Sequence, residues 1–270
     1  MPTVDNTCSL YPSLFVNHGG GPLPLIGRQD DLARHMSAVV TENLPRRPSA
    51  IVVVSAHYEG DPIQITSGSN PDLLFDYYGF PKETYEYKYP APGDPALAQR
   101  IKDNLEKEGL ESELDSKRGW DHGVFVPLLL MFPEANIPVV SVSLHKSLDP
   151  DKNMAIGRAL SPLRQEDVLV LGSGYTFHNM HAFFNPEHAT KKASLQFNDW
   201  LKSTIIDEGN FEKLKEWKQA PSARICHPRE EHLLPLLVVA GAAGDSGAGE
   251  LIYDTRSQVN DHAVTGYLFK

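Results

Sequence analysis

The sequence predicts an α/β fold: one domain over residues 1–270, layered as α/β/α around a mixed, mostly buried sheet. Short β-branched runs alternate with helix-period segments along the chain. The run Ala50-Ile51-Val52-Val53-Val54-Ser55 is continuously apolar rather than alternating, so both of its faces must be covered and it is a central strand. Several helical patterns open on Asp-Pro, a start signal because the first helical turn needs no N–H.

The expected strands are residues 13–17, 50–57, 63–67, 137–144, 167–172, 249–254 and 263–269. Helices are expected from Asp30 or Asp31, from Asp94-Pro95 over residues 96–107, over residues 124–131, from Asp149-Pro150 to about residue 163, and from His227-Pro228 over residues 231–243. Residues 67–95 have neither period. They contain Tyr77, Tyr78, Tyr85, Tyr87 and Tyr89, and an aromatic loop of that length in a compact domain reads as a lid rather than as disorder.

Composition excludes some functions. Lys and Arg total 25 against 35 for Asp and Glu, a net charge of −10, which disfavours nucleic acid and anionic membrane as partners and favours a small molecule. Cys8 and Cys226 are too few for a disulfide framework or a thiolate zinc site, so the expectation is a reduced, cytoplasmic protein with plain thiols. No run reaches the roughly 18 apolar residues of a membrane span, and self-association is left open.

Four histidines stand at the ends of strand-like or turn-like segments: His18 before Gly19-Gly20-Gly21-Pro22, His57 after Ser55-Ala56, His178 after a Gly172-Ser173-Gly174 turn, and His232 in the first turn of an apolar helix. Strand ends let a rigid sheet aim imidazoles at one point, and converging neutral imidazoles suit a divalent transition metal. Taken alone, His57 reads as a satisfied core residue; its parallel with His18 raises it. The His18 string also matches a lipase oxyanion motif, but no Gly-x-Ser-x-Gly elbow accompanies it. His122, after Trp120-Asp121, opens an apolar helix and can either face substrate or cap. His227 lacks the spacing of a His-Glu-x-x-His zinc protease and reads as an exposed cap, a group behind the site or a substrate-facing group. His181 and His188 fall in a less ordered Asn- and Pro-containing stretch and read as surface residues, while His35, His145 and His262 read as surface or packing residues. Gly244-Asp245-Ser246-Gly247 imitates a serine-protease string without any supporting context.

Six strings in register, namely His18 to Pro22, Ser55-Ala56-His57, Tyr89 to Gly93, Asp121-His122-Gly123, Gly172-Ser173-Gly174 with His178-Asn179, and Glu231 to Leu236, resemble the class III extradiol ring-cleavage dioxygenases, in their 4,5-DOPA dioxygenase branch. The resemblance covers nearly the whole chain and implies a LigB-type fold. It further implies one divalent metal ion, Fe(II) for catalysis or Zn(II) as bound, held by His18, His57 and His232. His178 is implied as acid/base residue, or as a fourth ligand with zinc, and His122 as a catalytic group in the substrate pocket. The wider class has a glutamate as third ligand; His232 stands there in this branch, leaving Glu230 and Glu231 as rivals. The substrates implied are a catechol and O2, giving a semialdehyde acid. The alternatives are a zinc-dependent hydrolase, in which the same imidazoles activate water, and a non-catalytic binding protein on the same fold.

Overall fold

The computed structural model describes residues 10–244 and 247–270. Cys8 and the Asp245-Ser246 pair of the protease-like string lie outside the described residues.

In chain order the principal elements are β1 (Ser13–Asn17), α1 (Asp30–Glu42), β2 (Ala50–Gly60), β3 (Ile63–Thr66), α2 (Pro95–Lys107), β4 (Ser112–Asp115), α3 (His122–Met131), β5 (Val139–His145), α4 (Pro150–Leu160), β6 (Val168–Gly174), α5 (Met180–Phe184), α6 (His188–Lys202), α7 (Ala223–Cys226), α8 (Leu234–Ala243), β7 (Glu250–Arg256) and β8 (Ala263–Phe269). The eight strands form one sheet in the order β4-β3-β5-β2-β6-β1-β8-β7. The central four, β5-β2-β6-β1, run parallel, and antiparallel pairing enters at β3 with β5 and at β8. The sheet is therefore mixed and the architecture α/β/α, as the sequence predicts.

The apolar run of β2 divides by parity. Ala50, Val52 and Val54 join a core under α2, α4, α6 and α8, whereas Ile51 and Val53 join a second core with residues of α1, α3 and the aromatic loop. Period-two alternation sends successive side chains to opposite faces, so an all-apolar strand signals helices on both sides. Asp94 and Asp149 cap α2 and α4 by accepting from the backbone N–H of Leu97 and Lys152.

Several expectations are corrected. β2 does not stop at His57 but continues to Gly60 across a register shift between Val54 and Glu59, a local irregularity of the kind that re-aims side chains beside active sites. Gly172-Ser173-Gly174 is not a turn: it is the end of β6. Added Cβ atoms at Gly172 and Gly174 would lie 2.5 Å from the Pro235 carbonyl oxygen and 2.2 Å from that of His232, so the glycines admit a backbone crossing against the strand. α8 begins at Leu234, which leaves His232 in the preceding turn rather than in a helix. The stretch carrying His181 and His188 is helical, in α5 and α6, although both histidines are exposed as expected. β4 escapes the apolar pattern because it is a short edge strand, Ser-Glu-Leu-Asp, paired only with β3.

Between β3 and α2 the chain forms no strand or α-helix, only a 3₁₀ turn at Lys82–Tyr85. Tyr77 and Tyr89 are buried, while Tyr78 is 92 % exposed. The loop is pinned beside α3 by a parallel bridge of Leu73 with Trp120 and by the Leu74 N–H donating to the Trp120 carbonyl at 2.7 Å. Among the described residues no helix is long and apolar enough to cross a membrane.

Candidate metal centre

His18 follows β1 directly, and its backbone N–H donates to the Gly174 carbonyl at the end of β6, at 3.1 Å. His57 lies in the irregular part of β2. His232 is drawn over the end of β6 by its carbonyl, which accepts from the Tyr175 N–H at 2.8 Å. The end of β1, the irregular part of β2 and the turn before α8 thus deliver three imidazoles to the carboxyl edge of the parallel strands, where α/β sheets place their ligand crevices. The ring centroids of His18 and His57 are 4.9 Å apart, those of His57 and His232 4.9 Å, and those of His18 and His232 5.3 Å, a nearly equilateral triangle. The Nε2 atoms of His18 and His57 are 3.2 Å apart.

The other nitrogen of each ring is held from behind. His18 Nδ1 lies 3.0 Å from Ser173 Oγ, whose hydroxyl donates to the Gly123 carbonyl and therefore has only an acceptor to offer the ring. His232 Nδ1 lies 2.9 Å from Glu231 Oε1, and His57 Nδ1 lies 3.6 Å from Asp76 Oδ2. At His18 and His232 these acceptors fix the tautomer that leaves the Nε2 lone pair available, the arrangement by which proteins present histidine to metals, while at His57 the carboxylate lies beyond hydrogen-bond distance and its charge favours a proton on Nδ1. Glu231, a rival for the third ligand in the sequence, is thus an acceptor behind His232; Glu230 turns to Arg224 and Lys218.

His178 stacks on His232 with centroids 3.4 Å apart and planes 11° apart, and its Nδ1 lies 3.4 Å from the same Glu231 Oε1. The Arg229 guanidinium reaches the other Glu231 oxygen at 3.2 Å while bonding both oxygens of Glu59. His122 sits across the cluster, 4.0 Å from the His57 ring centroid, with Nδ1 on Asp76 Oδ1 at 2.8 Å and its backbone N–H on the same oxygen at 2.9 Å. Tyr77 of the aromatic loop meets the His122 ring edge-on at 5.9 Å. By ligand-atom distance the donors fall into two adjoining groups, His18 with His57 and His122, and His178 with Glu231 and His232, so His232 joins His18 and His57 through the ring triangle and not through that closer grouping.

Burial, then the neighbouring imidazoles, hold His18 and His232 far below the ordinary imidazole range, and burial with His122 beside it takes His57 to about 3. Burial alone would raise the Asp76 carboxyl, but hydrogen bonds from His122 and the nearby His57 outweigh it and hold the acid at about 2. Burial and the Asp76 charge raise Asp121, against a hydrogen bond from Ser55 and the Arg118 guanidinium. At neutral pH His18, His57 and His232 are uncharged nitrogen donors with a hydroxyl or a carboxylate behind them, a donor set that fits a single divalent transition metal.

His227 is not an exposed cap. It is fully buried, edge-on to Phe197 and Trp217, with neither ring nitrogen in a well-formed hydrogen bond. Asp76, Ser173 and Glu231 are the functional residues that sequence patterns do not identify by role; Asp76 in particular lies in the aperiodic loop.

The description "Catalytic LigB subunit of aromatic ring-opening dioxygenase" belongs to the family model that matches residues 12–266. A dioxygenase of Hapsidospora irregularis, tasH, is 42% identical, with 87% of this chain and 78% of that protein aligned. The 4,5-DOPA dioxygenase extradiol of Beta vulgaris is 36% identical over 92% of each chain. The crystal structure of an uncharacterized protein from Escherichia coli K12 superposes with a TM-score of 0.79 at 28% identity, covering 96% of this chain and all of that one, 100%. With a triangle of imidazoles at the sheet edge and a family match over nearly its full length, the chain belongs to the LigB family and is an extradiol-type aromatic ring-opening dioxygenase.

Proposed function

We propose that the chain opens the ring of a catechol of the L-DOPA type with O2, using one divalent metal held by His18, His57 and His232. The near-equilateral triangle of their rings, with hydrogen-bond acceptors behind Nδ1 of His18 and His232 and a carboxylate charge near that of His57, is the observation that carries this reading. When bound, an Fe(II) ion with open positions would gather both catechol oxygens and dioxygen at one centre and accept electron density from the ring.

His178 is the proton carrier. It takes the proton of a catechol hydroxyl as general base, and Glu231 at 3.4 Å stabilises the imidazolium that results. The same proton is returned later in the cycle as general acid. His122, held by Asp76 at Nδ1, keeps Nε2 free for the substrate's second oxygen. Tyr77 and its loop exclude water over the ring. The relatives named as 4,5-DOPA dioxygenases support an L-DOPA-like substrate. Three converging imidazoles also accept Zn(II), which would occupy the site without turnover.

The test is an oxygen electrode with anaerobically loaded Fe(II) enzyme across a set of catechols, with labelled dioxygen. The expected result is uptake dependent on Fe(II), absent with Zn(II), and both oxygen atoms in a ring-opened product. His178→Ala should abolish turnover while keeping its metal. Wild-type activity in that variant ends the acid/base assignment, and loss of the metal makes His178 a ligand.

A further inference from the structure

One carboxylate joins two parts of the molecule that have no sequence proximity. Asp76 belongs to the aromatic loop, yet both its oxygens face the histidine cluster, and its side chain is only 21 % exposed. Oδ1 accepts from the backbone N–H and ring Nδ1 of His122 at the start of α3, while Oδ2 lies 3.6 Å from Nδ1 of His57 on β2. The adjacent Tyr77 packs into the second core and on the His122 ring, and its hydroxyl donates to the Thr84 carbonyl within the loop. Besides the Leu73 and Leu74 contacts with Trp120, Asp76 ties the loop to the site itself.

We propose that Asp76 is a positioning residue that couples closure of the aromatic loop to occupation of the metal site, because a carboxylate carried by the loop fixes His122 through two hydrogen bonds and sets its charge 3.6 Å from Nδ1 of the ligand His57, where it favours the proton on that nitrogen. The inference rests on the metal centre proposed above. A negative charge 3.6 Å from His57 Nδ1 favours the proton there and leaves Nε2 free; when the loop lifts, that preference is lost. Loop closure therefore strengthens metal binding, and by reciprocity metal binding must hold the loop closed by the same factor. Asp76→Asn separates the two functions of the carboxylate. Its amide oxygen can still accept from His122, but its NH2 would offer a donor to His57 Nδ1, driving the proton to Nε2 where the ligand lone pair is needed.

The experiment uses the metal-free full-length chain titrated with Zn(II) against a chromophoric chelator, with hydrogen exchange followed over residues 73–90 with and without Zn(II). In the wild type Zn(II) should slow exchange across those residues. Asp76→Asn should bind Zn(II) about 10–100-fold more weakly, the range typical of groups behind a ligand, and lose the Zn(II)-dependent part of the protection. Asp76→Glu should restore part of both. Wild-type Zn(II) affinity in Asp76→Asn overturns the coupling, as does protection that falls equally with and without the ion, which is what a merely structural tie would give. Should Asp76→Asn fail to fold, the wild type decides: a loop indifferent to Zn(II) overturns the coupling, and a loop protected by it supports the coupling. A wild type that binds no Zn(II) removes the metal centre as well, whereas one that binds it with an indifferent loop removes only the coupling.

Discussion

His227 offers a measurement of what burial of an imidazole costs this fold in acid. It is fully buried between Phe197 and Trp217, and burial first, then the nearby His178, takes it from an ordinary 6.5 to about 3, with only the Thr176 main chain and Glu231 favouring the charged form. The unfolded chain takes up this proton as pH falls below 6.5, and the native state refuses it until about 3, so stability is full above 6.5 and lost on acidification through that window. From pH 7 to about 5.5 the integrated loss from this one residue is about 1.3 kcal/mol. His18, His57 and His232 have depressions of the same sign and add to the total. They cancel in a comparison with His227→Leu, which removes only its own proton. The assay is urea unfolding of the metal-free protein at the two pH values. The wild type should lose about 1.3 kcal/mol more than the variant on acidification, whatever fixed packing cost the substitution carries. Equal losses in the two proteins would refute the argument.

Two further substitutions probe the cluster. Glu231→Gln removes the charge shared by His232 and His178, and should weaken metal binding by about 10–100-fold while lowering kcat of the Fe(II)-loaded enzyme; chelator competition and oxygen uptake measure the two effects separately. Gly174→Ala would set a Cβ at 2.2 Å from the His232 carbonyl oxygen, displacing the turn that carries the ligand. A stability loss of about 1–3 kcal/mol is expected in urea unfolding, accompanied by weaker Zn(II) binding.

What could be read beforehand follows from what repeats along a chain. The apolar run of β2 and the Asp-Pro starts of α2 and α4 are local signals, and these elements lie where the patterns put them. α6 carries a mixed signal: Ala193, Phe197 and Leu201 recur every four residues behind a capping box of Glu187 and Thr190, but Asn185-Pro186 just upstream reads as a loop. The mistaken turn at residues 172–174 has a different source. Glycine there serves a close approach by the His232 backbone, and a single sequence cannot distinguish that use from a bend. Asp76 was out of reach for the same reason, since its meaning depends on His57 and His122, which only the folded sheet brings to it.

The interleaved strand order makes the pocket a product of the whole sheet. β1 and β2 follow one another along the chain, yet they share no edge, because β6 lies between them and pairs with both. A segment carrying His18 and His57 alone lacks the strand that brings them side by side, and His232 comes from beyond β6. A fragment that stops short of β6 should therefore show no tight cation affinity, however well its own helices form.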